Sequence, residues 1–368
     1  MGDLQLKVII LFGGQSGEHQ VSLSSAKSVL QAIDRTRYIV QTIGISQAGR
    51  WYWGALPDDL INSDFPTSSA LPLVTLVHDP GDPHFITLDG TPLPGNGQFD
   101  LIFPVLHGPN GEDGTLQGLL ELANVPYVGS GVLGSSLGMD KDRMKAVFAQ
   151  AGLPQANYLT FLRSEYRNFP ELCIQKVAQV LGYPCFVKPA NLGSSVGISK
   201  AHNPGELLEA LKVASLYDRK IVVEQNISGR EIEISVLGND LPEASLPGEI
   251  LPANEFYDYE AKYDDTGSRL IIPAILPETL INQLREMAIQ AFLAVEASGL
   301  SRVDFFVTPN NEPLVNEINT MPGFTQISMY PKLWEATGIN YSDLINRLIS
   351  LALERFKDKQ DRQISREL

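Results

Sequence analysis

Four polar residues toward the carboxyl-terminal end of the chain have the types and spacing of a metal or phosphate site. Arg302 and Asp304 lie in one apolar, strand-like run, and Glu317 and Asn319 lie in a second, with a turn rich in Pro and Asn between them. This pattern predicts a β-hairpin. If the pairing is symmetric about 310–311, Asp304 lies opposite Glu317 and Arg302 lies opposite Asn319.

The predicted pairing places all four side chains on one face of the hairpin. Side chains alternate along a strand, and directly opposed pairs lie about 5 Å apart. Two carboxylates at that distance repel each other, and a cation between them relieves the repulsion. Oxygen ligands suit Mg²⁺, which takes one or two carboxylates and completes its shell with water and phosphate oxygens. The hairpin by itself leaves one alternative open, an ordinary cross-strand polar patch in which Arg302 neutralises the acids.

Two loops have the composition of phosphate-binding and lid segments. The Gly- and Ser-rich loop Gly193–Gly197 follows a strand that ends in Lys188, and its backbone and hydroxyl donors could hold phosphate oxygens. It is not a Walker A loop, and an ordinary structural turn is the alternative. The charged, aromatic loop at 256–265 is either a solvated surface loop or a mobile lid that brings a lysine onto a γ-phosphate.

A third glycine-rich stretch, Gly129–Gly134, matches the pattern GxGxxG. A dinucleotide site of this type needs a preceding strand and an acidic residue about 20 positions later. The run Val125–Val128 is a poor strand, and no acid stands near that distance. We therefore predict a connection between domains here instead of a nicotinamide site.

Composition excludes several classes of protein. The chain has 368 residues, which predicts two or three domains, and its net charge of −15 argues against a nucleic-acid surface. Cys173 and Cys185 stand in apolar contexts without metal-binding spacing, so we predict reduced core residues. No apolar run approaches the length that spans a bilayer, and no signal-peptide region is found. These features predict a cytoplasmic protein without a membrane or nucleic-acid partner.

Strand and helix patterns divide the chain into three predicted units. Residues 1–129 alternate strand and helix, which predicts an open, mostly parallel sheet, with 47–98 as a peripheral insertion containing a hairpin. Residues 130–228 and 229–368 each combine helices with strands. The last unit carries the loop 256–265 and the polar hairpin.

Taken in order, the motifs of this chain resemble those of the D-alanine–D-alanine ligases of the ATP-grasp superfamily. The similarity covers nearly the whole chain and rests on Phe12–Ser22, Leu106–Gly114, Met139–Lys141, Val187–Pro189, Gly193–Gly197, 257–263, Arg302–Asp304 and Asn316–Gly323. It implies an α/β and α+β fold with three-domain ATP-grasp architecture, in which ATP lies between the second and third units.

The resemblance assigns roles at the nucleotide. It implies that Lys141 and Lys188 contact the α- and β-phosphates, that Glu224 accepts from the adenine amino group, and that Glu231 binds the ribose. Many relatives have a lysine where this chain has Gln225. The implied ATP-binding set is Lys141, Lys188, Ser194, Ser195, Glu224, Glu231, Tyr257 and Lys262. Asp304, Glu317 and Asn319 are implied as ligands of two Mg²⁺ ions, for which Mn²⁺ can substitute.

The resemblance also implies a reaction in two steps. The carboxylate of one D-alanine attacks the γ-phosphate to give an acyl phosphate and ADP, and the amine of a second D-alanine then displaces phosphate. The implied roles are a Glu18 carboxylate on the first ammonium, His107 as an orienting group, and Arg302 with the Gly323 N–H on the oxyanion. His19, next to Glu18, is expected to be a surface or capping residue.

Further implied roles concern the second substrate and the lid. Ser328 and the Met329 amide are implied as the clamp for the second carboxylate, and Ser194 and Tyr263 as the partners of Glu18 that fasten the lid. In the family a phenylalanine at the Tyr263 position accompanies acceptance of D-lactate, so an amide product is expected. A homodimer is expected by analogy with the family.

Three functions other than a D-alanine–D-alanine ligase make different predictions. A D-alanine–D-lactate ligase is distinguished by comparing coupled ADP release with D-alanine alone and with D-lactate added. A nicotinamide oxidoreductase built on Gly129–Gly134 would bind NAD(P)H and be indifferent to Mg²⁺. A nucleotide-binding sensor would bind ATP without turnover, which the complete set of polar site residues argues against.

Overall fold

The computed structural model describes residues 5–61, 71–194, 196–251 and 269–363 of the chain. Three main sheets and a separate two-stranded hairpin form its framework. Within the described residues, no helix combines the length and the apolar character needed to cross a bilayer.

The first sheet has the strand order β3-β2-β1-β6, and β1 runs parallel to both of its neighbours. The parallel sheet predicted from the sequence is therefore confirmed. The predicted peripheral hairpin is β4–β5, but Trp51–Trp53 pairs with β2 and extends the main sheet instead of lying in the insertion. The elements of this unit are β1 Leu6–Gly13, α1 His19–Ala32, β2 Tyr38–Ile45, β3 Trp51–Trp53, β4 Val74–Val77, β5 His84–Thr87, β6 Leu101–Val105 and α2 Thr115–Leu122.

The second sheet has the order β7-β10-β8-β9 and is antiparallel throughout. Its helices pack on it around a core that contains both buried, unpaired cysteines, as predicted. The elements are α3 Val132–Met139, α4 Lys141–Gln150, β7 Tyr158–Leu162, α5 Arg163–Asn168, α6 Pro170–Val180, β8 Cys185–Pro189, β9 Ser199–Ala201, α7 Pro204–Tyr217 and β10 Lys220–Gln225. Sequence patterns had indicated neither α3, β7 nor α5.

The third sheet has the order β14-β13-β11-β15-β16, with β12 paired to β11. Its long central strand β11 is flanked by the hairpin β15–β16 that the sequence predicted. The elements are β11 Arg230–Gly238, β12 Glu243–Ala244, β13 Gly248–Leu251, β14 Arg269–Ile271, α8 Glu278–Ala294, β15 Gly299–Val307, β16 Pro313–Asn319, α9 Met329–Ala336 and α10 Tyr341–Gln360. The short helix α9 was not predicted.

Two helices connect the sheets through shared hydrophobic cores. Helix α4 buries Met144 and Phe148 in the core of the third sheet, beside Val303 and Ile318. Helix α10 contributes residues such as Leu348 to a core that also includes the first sheet. Because apolar burial is the main favourable term in folding, these contacts hold the three sheets around one cleft.

The stretch Gly129–Gly134, predicted to connect domains, packs closely against residues of the third predicted unit. A Cβ atom at Gly134 would lie 2.5 Å from the carbonyl oxygen of Glu296, and one at Gly129 would lie 3.1 Å from the Met321 side chain. Only glycine leaves room for that approach. Gly131 is the N-cap residue of α3.

Candidate active site

A cavity of about 240 Å³ opens where the first sheet, the loop after β8 and the third sheet meet. Most of the predicted site residues line this one cavity. They are Glu18, His107, Lys141, Ser194, Glu231, Arg302, Asp304, Glu317, Asn319, Gly323, Ser328 and Met329. Lys188 and Glu224 do not line it and form a buried pair behind it.

The hairpin β15–β16 has the predicted pairing at the site. Asp304 lies opposite Glu317, and Arg302 lies opposite Asn319. Beyond Asp304 the register shifts by one residue, so that Phe305 pairs with Val315 and Asn316 is the extra residue of a β-bulge. The symmetric pairing therefore holds beside the cavity and fails toward the turn. Bulges often occur next to active sites because they redirect a side chain.

Arg302 forms an ion network with two carboxylates. Its guanidinium donates two hydrogen bonds of 2.7 Å to Asp304, and its Nε lies 3.1 Å from Glu233 on the neighbouring strand. Burial by itself lowers the pKa of Arg302, but the charges of Asp304 and Glu233 outweigh it and raise that pKa well above its usual range. Arg302 thus balances the acids, as in the alternative that the sequence left open.

The donor set on the hairpin fits a hard cation that is shared with phosphate. Lys141 Nζ lies 3.7 Å from Glu317, and the side-chain oxygen of Asn319 accepts a hydrogen bond of 3.0 Å from the Met321 N–H. Across the described ranges of the chain, no group of three or more His, Cys, Asp or Glu side chains is arranged to hold a metal. Two carboxylates and an amide oxygen nevertheless suit Mg²⁺, because water and nucleotide oxygens supply its other ligands.

Helix α4 begins at the cavity, and its first residue, Lys141, lines that cavity. The Lys141 ammonium donates a hydrogen bond of 2.9 Å to the Leu192 carbonyl, in the loop after β8. One turn later, Lys145 is 1% exposed and lies 3.2 Å from Glu224. Residues four apart share one face of a helix. The helix therefore connects the Gly- and Ser-rich loop with the buried pair behind the cavity.

Glu224 is held between two lysines. Its Oε2 accepts a hydrogen bond of 2.7 Å from Lys188, and its Oε1 faces Lys145. Burial raises the pKa of Glu224, but the two ammonium groups outweigh burial and lower that pKa to about 2. Gln225 accepts a hydrogen bond of 3.1 Å from Asn157.

Glu18, just before α1, lines the cavity and has one unpaired carboxylate oxygen. Its Oε1 accepts a hydrogen bond from the Ser194 hydroxyl, whereas its buried Oε2 has no partner among the described residues. A Cβ atom at Gly108 would lie 2.5 Å from that Oε2, and one at Gly193 would lie 2.8 Å from it. An unpaired buried carboxylate oxygen is costly, so a cationic ligand group suits this position.

His107 ties the first unit to the loop after β16. Its Nδ1 donates a hydrogen bond of 2.9 Å to the Met321 carbonyl, and its Nε2 accepts one of 3.0 Å from Ser25. The Ser25 oxygen in turn accepts from the Phe324 N–H at 3.2 Å. Burial lowers the pKa of His107, which agrees with a neutral ring in this tautomer. His107 and Ser25 therefore hold the loop that carries Gly323.

Two more residues of the first unit differ from the sequence analysis: His19 lies in another environment than expected, and Glu112 was not predicted as a site residue. His19 is 1% exposed, and its two ring nitrogens lie within hydrogen-bonding distance of the carbonyl oxygens of Gly14 and Leu60, so the surface alternative of the surface-or-capping expectation is wrong. Glu112 lines the cavity, and its carboxylate accepts from the Gly108 N–H at 2.7 Å. Burial raises the pKa of Glu112 to about 8, and the charge of Glu18 adds to this effect.

The start of helix α9 closes the far side of the cavity. Ser328 is its N-cap residue, and its hydroxyl oxygen accepts a hydrogen bond of 3.1 Å from the Thr325 N–H. Met329 is buried against Leu333 and Ile250. Gly323 faces Ser328, because a Cβ atom on Gly323 would lie 3.2 Å from the Ser328 oxygen. The N–H groups in the first turn of a helix attract anions.

Some predicted site residues lie outside the part of the chain that the structure describes, and some residues that contact the site were not predicted. Ser195, Tyr257, Lys262, Tyr263 and the loop 256–265 lie outside the described residues. The unpredicted residues are Ser25, Glu112, Lys145 and Glu233. Strand period two from Glu231 indicates Glu233, and helix spacing of four from Lys141 indicates Lys145.

Comparison with known proteins places this fold and cleft among related enzymes. The solved structure of the D-alanine-D-alanine ligase from Coxiella burnetii matches with a TM-score of 0.84 at 39% identity, covering 97% of this chain and 96% of that one. The VanG D-Ala:D-Ser ligase from Enterococcus faecalis matches with a TM-score of 0.84 at 36% identity, covering 95% of this chain and 100% of that one. The fold and the site thus define an ATP-grasp enzyme.

Sequence comparison identifies the family within the ATP-grasp enzymes to which this chain belongs. The family models for the D-ala D-ala ligase N-terminus and C-terminus match residues 7–130 and 147–350. The D-alanine–D-alanine ligase of Heliobacterium modesticaldum is 54% identical, covering 96% of each chain, and that of Bacillus velezensis is 50% identical, covering 95% of this chain and 98% of that one. The chain belongs to the D-alanine–D-alanine ligase family, ADP-forming ligases that use ATP and Mg²⁺ to make a peptide bond.

Proposed function

We propose that this protein joins two D-alanines to D-alanyl-D-alanine, with conversion of ATP to ADP and phosphate, for peptidoglycan precursor synthesis. One observation carries the proposal. A single cavity is lined on one wall by Glu18, whose buried Oε2 is unpaired, and on another by the opposed pair Asp304 and Glu317. The first suits an ammonium group, and the second suits a metal-bound phosphate. A D-amino acid and the terminal phosphate of ATP can therefore meet there.

The nucleotide is proposed to lie between the second and third units. Lys141 and Lys188 would contact its phosphates, because ammonium groups that converge on one region attract a polyphosphate. Glu224 would accept from the adenine amino group and Glu231 would bind the ribose. Ser194, Ser195, Tyr257 and Lys262 complete the proposed set.

Asp304, Glu317 and Asn319 would hold Mg²⁺, as two ions by analogy with the family, with Mn²⁺ able to substitute. When bound, the metal neutralises phosphate charge and orients the terminal phosphoryl group. Arg302 has two tasks in this arrangement. It keeps Asp304 of the hairpin and Glu233 of the neighbouring strand β11 in place, and it offers positive charge to the reacting centre.

The first D-alanine would place its ammonium group at Glu18 and its carboxylate toward the γ-phosphate. Attack of a carboxylate oxygen on that phosphorus forms the acyl phosphate and releases ADP. Water must then be excluded, because the acyl phosphate hydrolyses readily. The Ser194–Glu18 hydrogen bond joins the loop after β8 to α1 over the cavity, and Tyr263 is proposed to strengthen this closure.

The second D-alanine would bind with its carboxylate at Ser328 and the Met329 N–H. Its free amine attacks the acyl carbon, a tetrahedral oxyanion forms, and phosphate leaves with the C–O bond electrons and takes up the proton that the amine nitrogen loses. Arg302 and the Gly323 N–H are proposed to stabilise that oxyanion, and one such donor is typically worth about 10²–10³ in kcat. His107 and Ser25 fix the loop that carries Gly323.

Finer features stay predictions that follow from the family. We propose D-alanine as acceptor because relatives at about half identity have this activity, and the D-lactate alternative is not favoured. The division at residues 129 and 228, the homodimer and the cytoplasmic location are likewise proposed.

The test is phosphate release from ATP and Mg²⁺ with D-alanine, with L-alanine as control and mass spectrometry of the product. We expect release with D-alanine, a dipeptide product, and none with L-alanine. D-Lactate and D-serine, each added with D-alanine, test the acceptor. A depsipeptide or D-alanyl-D-serine as main product would overturn the proposed acceptor, and ATP binding without any release would overturn the ligase activity.

A further inference from the structure

Lys145 is a buried cation to which the proposed reaction gives no task. It is 1% exposed and lies between the nucleotide side of the site and the metal hairpin. Its ammonium is 3.2 Å from Glu224 Oε1 and donates a hydrogen bond of 3.4 Å to the carbonyl of Asn316, the bulged residue next to Glu317. It also lies 5.6 Å from the centre of the Tyr158 ring, within cation–π range.

Lys188 has two competing partners, Glu224 and a nucleotide phosphate, and Lys145 can compensate Glu224 when Lys188 binds the phosphate. Lys188 donates to Glu224 Oε2 at 2.7 Å, yet the same lysine is proposed to contact a phosphate. If Lys188 moved to the nucleotide with nothing left behind, Glu224, which is 3% exposed, would become a buried, uncompensated carboxylate. Breaking a buried pair in that way is strongly unfavourable.

We propose that Lys145 is the permanent counter-ion of Glu224, and that it allows Lys188 to exchange Glu224 for a nucleotide phosphate. Lys145 stays on Oε1 throughout. When Lys188 leaves, Glu224 Oε2 no longer has a partner and can accept a hydrogen bond from the amino N–H of the adenine base. Lys145 is therefore a positioning residue that acts on ATP through Glu224 and Lys188.

This inference rests on the proposed function for the identity of the ligand, but it is tested without D-alanine. The measurement is the Kd of a non-hydrolysable ATP analogue with Mg²⁺, by titration calorimetry, in the intact protein. If the wild type released no phosphate with D-alanine, the proposed function would be wrong, but the Kd of the ATP analogue could still be measured and compared between variants.

Lys145→Met should raise the Kd of the analogue by about tenfold or more, a size typical of coupling between contacting charged residues. Lys145→Met combined with Glu224→Gln should bind within about threefold of Glu224→Gln alone, because the neutral amide needs no counter-ion. Lys212→Met, at an exposed lysine of α7, is the matched control and should bind like the wild type.

A purely structural role for Lys145 predicts a different pattern, because lost packing is not restored by neutralising Glu224. If the double variant binds about tenfold more weakly than Glu224→Gln, the proposal is wrong. That comparison stands even if Lys145→Met alone fails to fold, because the double variant has no carboxylate at position 224 to leave without a counter-ion, and Lys188 loses its carboxylate partner equally in both variants. A nucleotide-bound structure in which Lys188 still contacts Glu224 would overturn the exchange.

Discussion

Replacement of Glu18 by glutamine tests the ammonium site most directly. The amide has nearly the same volume, so it fits beside Gly108 and Gly193, and its oxygen can still accept the Ser194 hydrogen bond. The change removes the negative charge and turns the unpaired Oε2 into an NH₂ donor. An ammonium group placed there would then meet a donor instead of a carboxylate oxygen.

The size of the effect follows from the kind of contact that is lost. Hydrogen bonds to charged groups contribute about 1.5–3 kcal/mol, and each 1.4 kcal/mol changes an equilibrium about tenfold. Glu18→Gln should therefore raise the KM of the first D-alanine by about 10- to 100-fold. The Kd of ATP should stay unchanged, because the pair Lys188 and Glu224 lies behind the cavity.

The assay is the initial rate of ADP release over a wide range of D-alanine concentration, fitted with two substrate sites, beside calorimetry with the ATP analogue. Glu209→Gln, at an exposed carboxylate of α7, is the control and should behave as wild type. An unchanged KM at the first site would refute the assignment of Glu18. Loss of ATP binding would show that Glu18 supports the fold instead.

Three further predictions follow from the site. Glu317→Gln should abolish ADP formation while the ATP analogue without metal still binds; near-wild-type turnover would remove the metal assignment. Gly108→Ala should raise the KM of D-alanine, because Gly108 has φ +75° and its new Cβ would lie 2.5 Å from Glu18 Oε2; an unaltered KM in initial-rate assays would contradict this contact. Burial raises the pKa of Glu112 from 4.5 to about 8, so the folded state holds this proton more tightly. Its stabilising effect is then complete below pH 4.5 and is lost as the pH rises through 8. Urea unfolding measures the effect: between pH 4.5 and about 8, the free energy of unfolding of the wild type should fall relative to that of Glu112→Gln by at most about 1.4 kcal/mol per pH unit. Parallel pH profiles of the two proteins would contradict the raised pKa of Glu112.

Much of the candidate site could be predicted because strand and turn signals are local. The turn near Asn310 and two apolar runs were enough to place Asp304 opposite Glu317, and the structure has that pair. The bulge at Asn316 was not predicted, because it depends on contacts with α4, where Lys145 and Met144 meet this part of the hairpin.

Tertiary packing alone decided which distant residues meet. Glu18 and Ser194 lie 176 positions apart and share a hydrogen bond, and His107 reaches across 214 positions to the Met321 carbonyl. No local pattern carries that information, because such contacts arise only when three hydrophobic cores have fixed the sheets around one cleft. The sequence by itself determined the kinds of chemical group and the elements that carry them. The fold determined their partners, their burial and hence their charge states, since burial and neighbouring charges shift a pKa only in the folded chain.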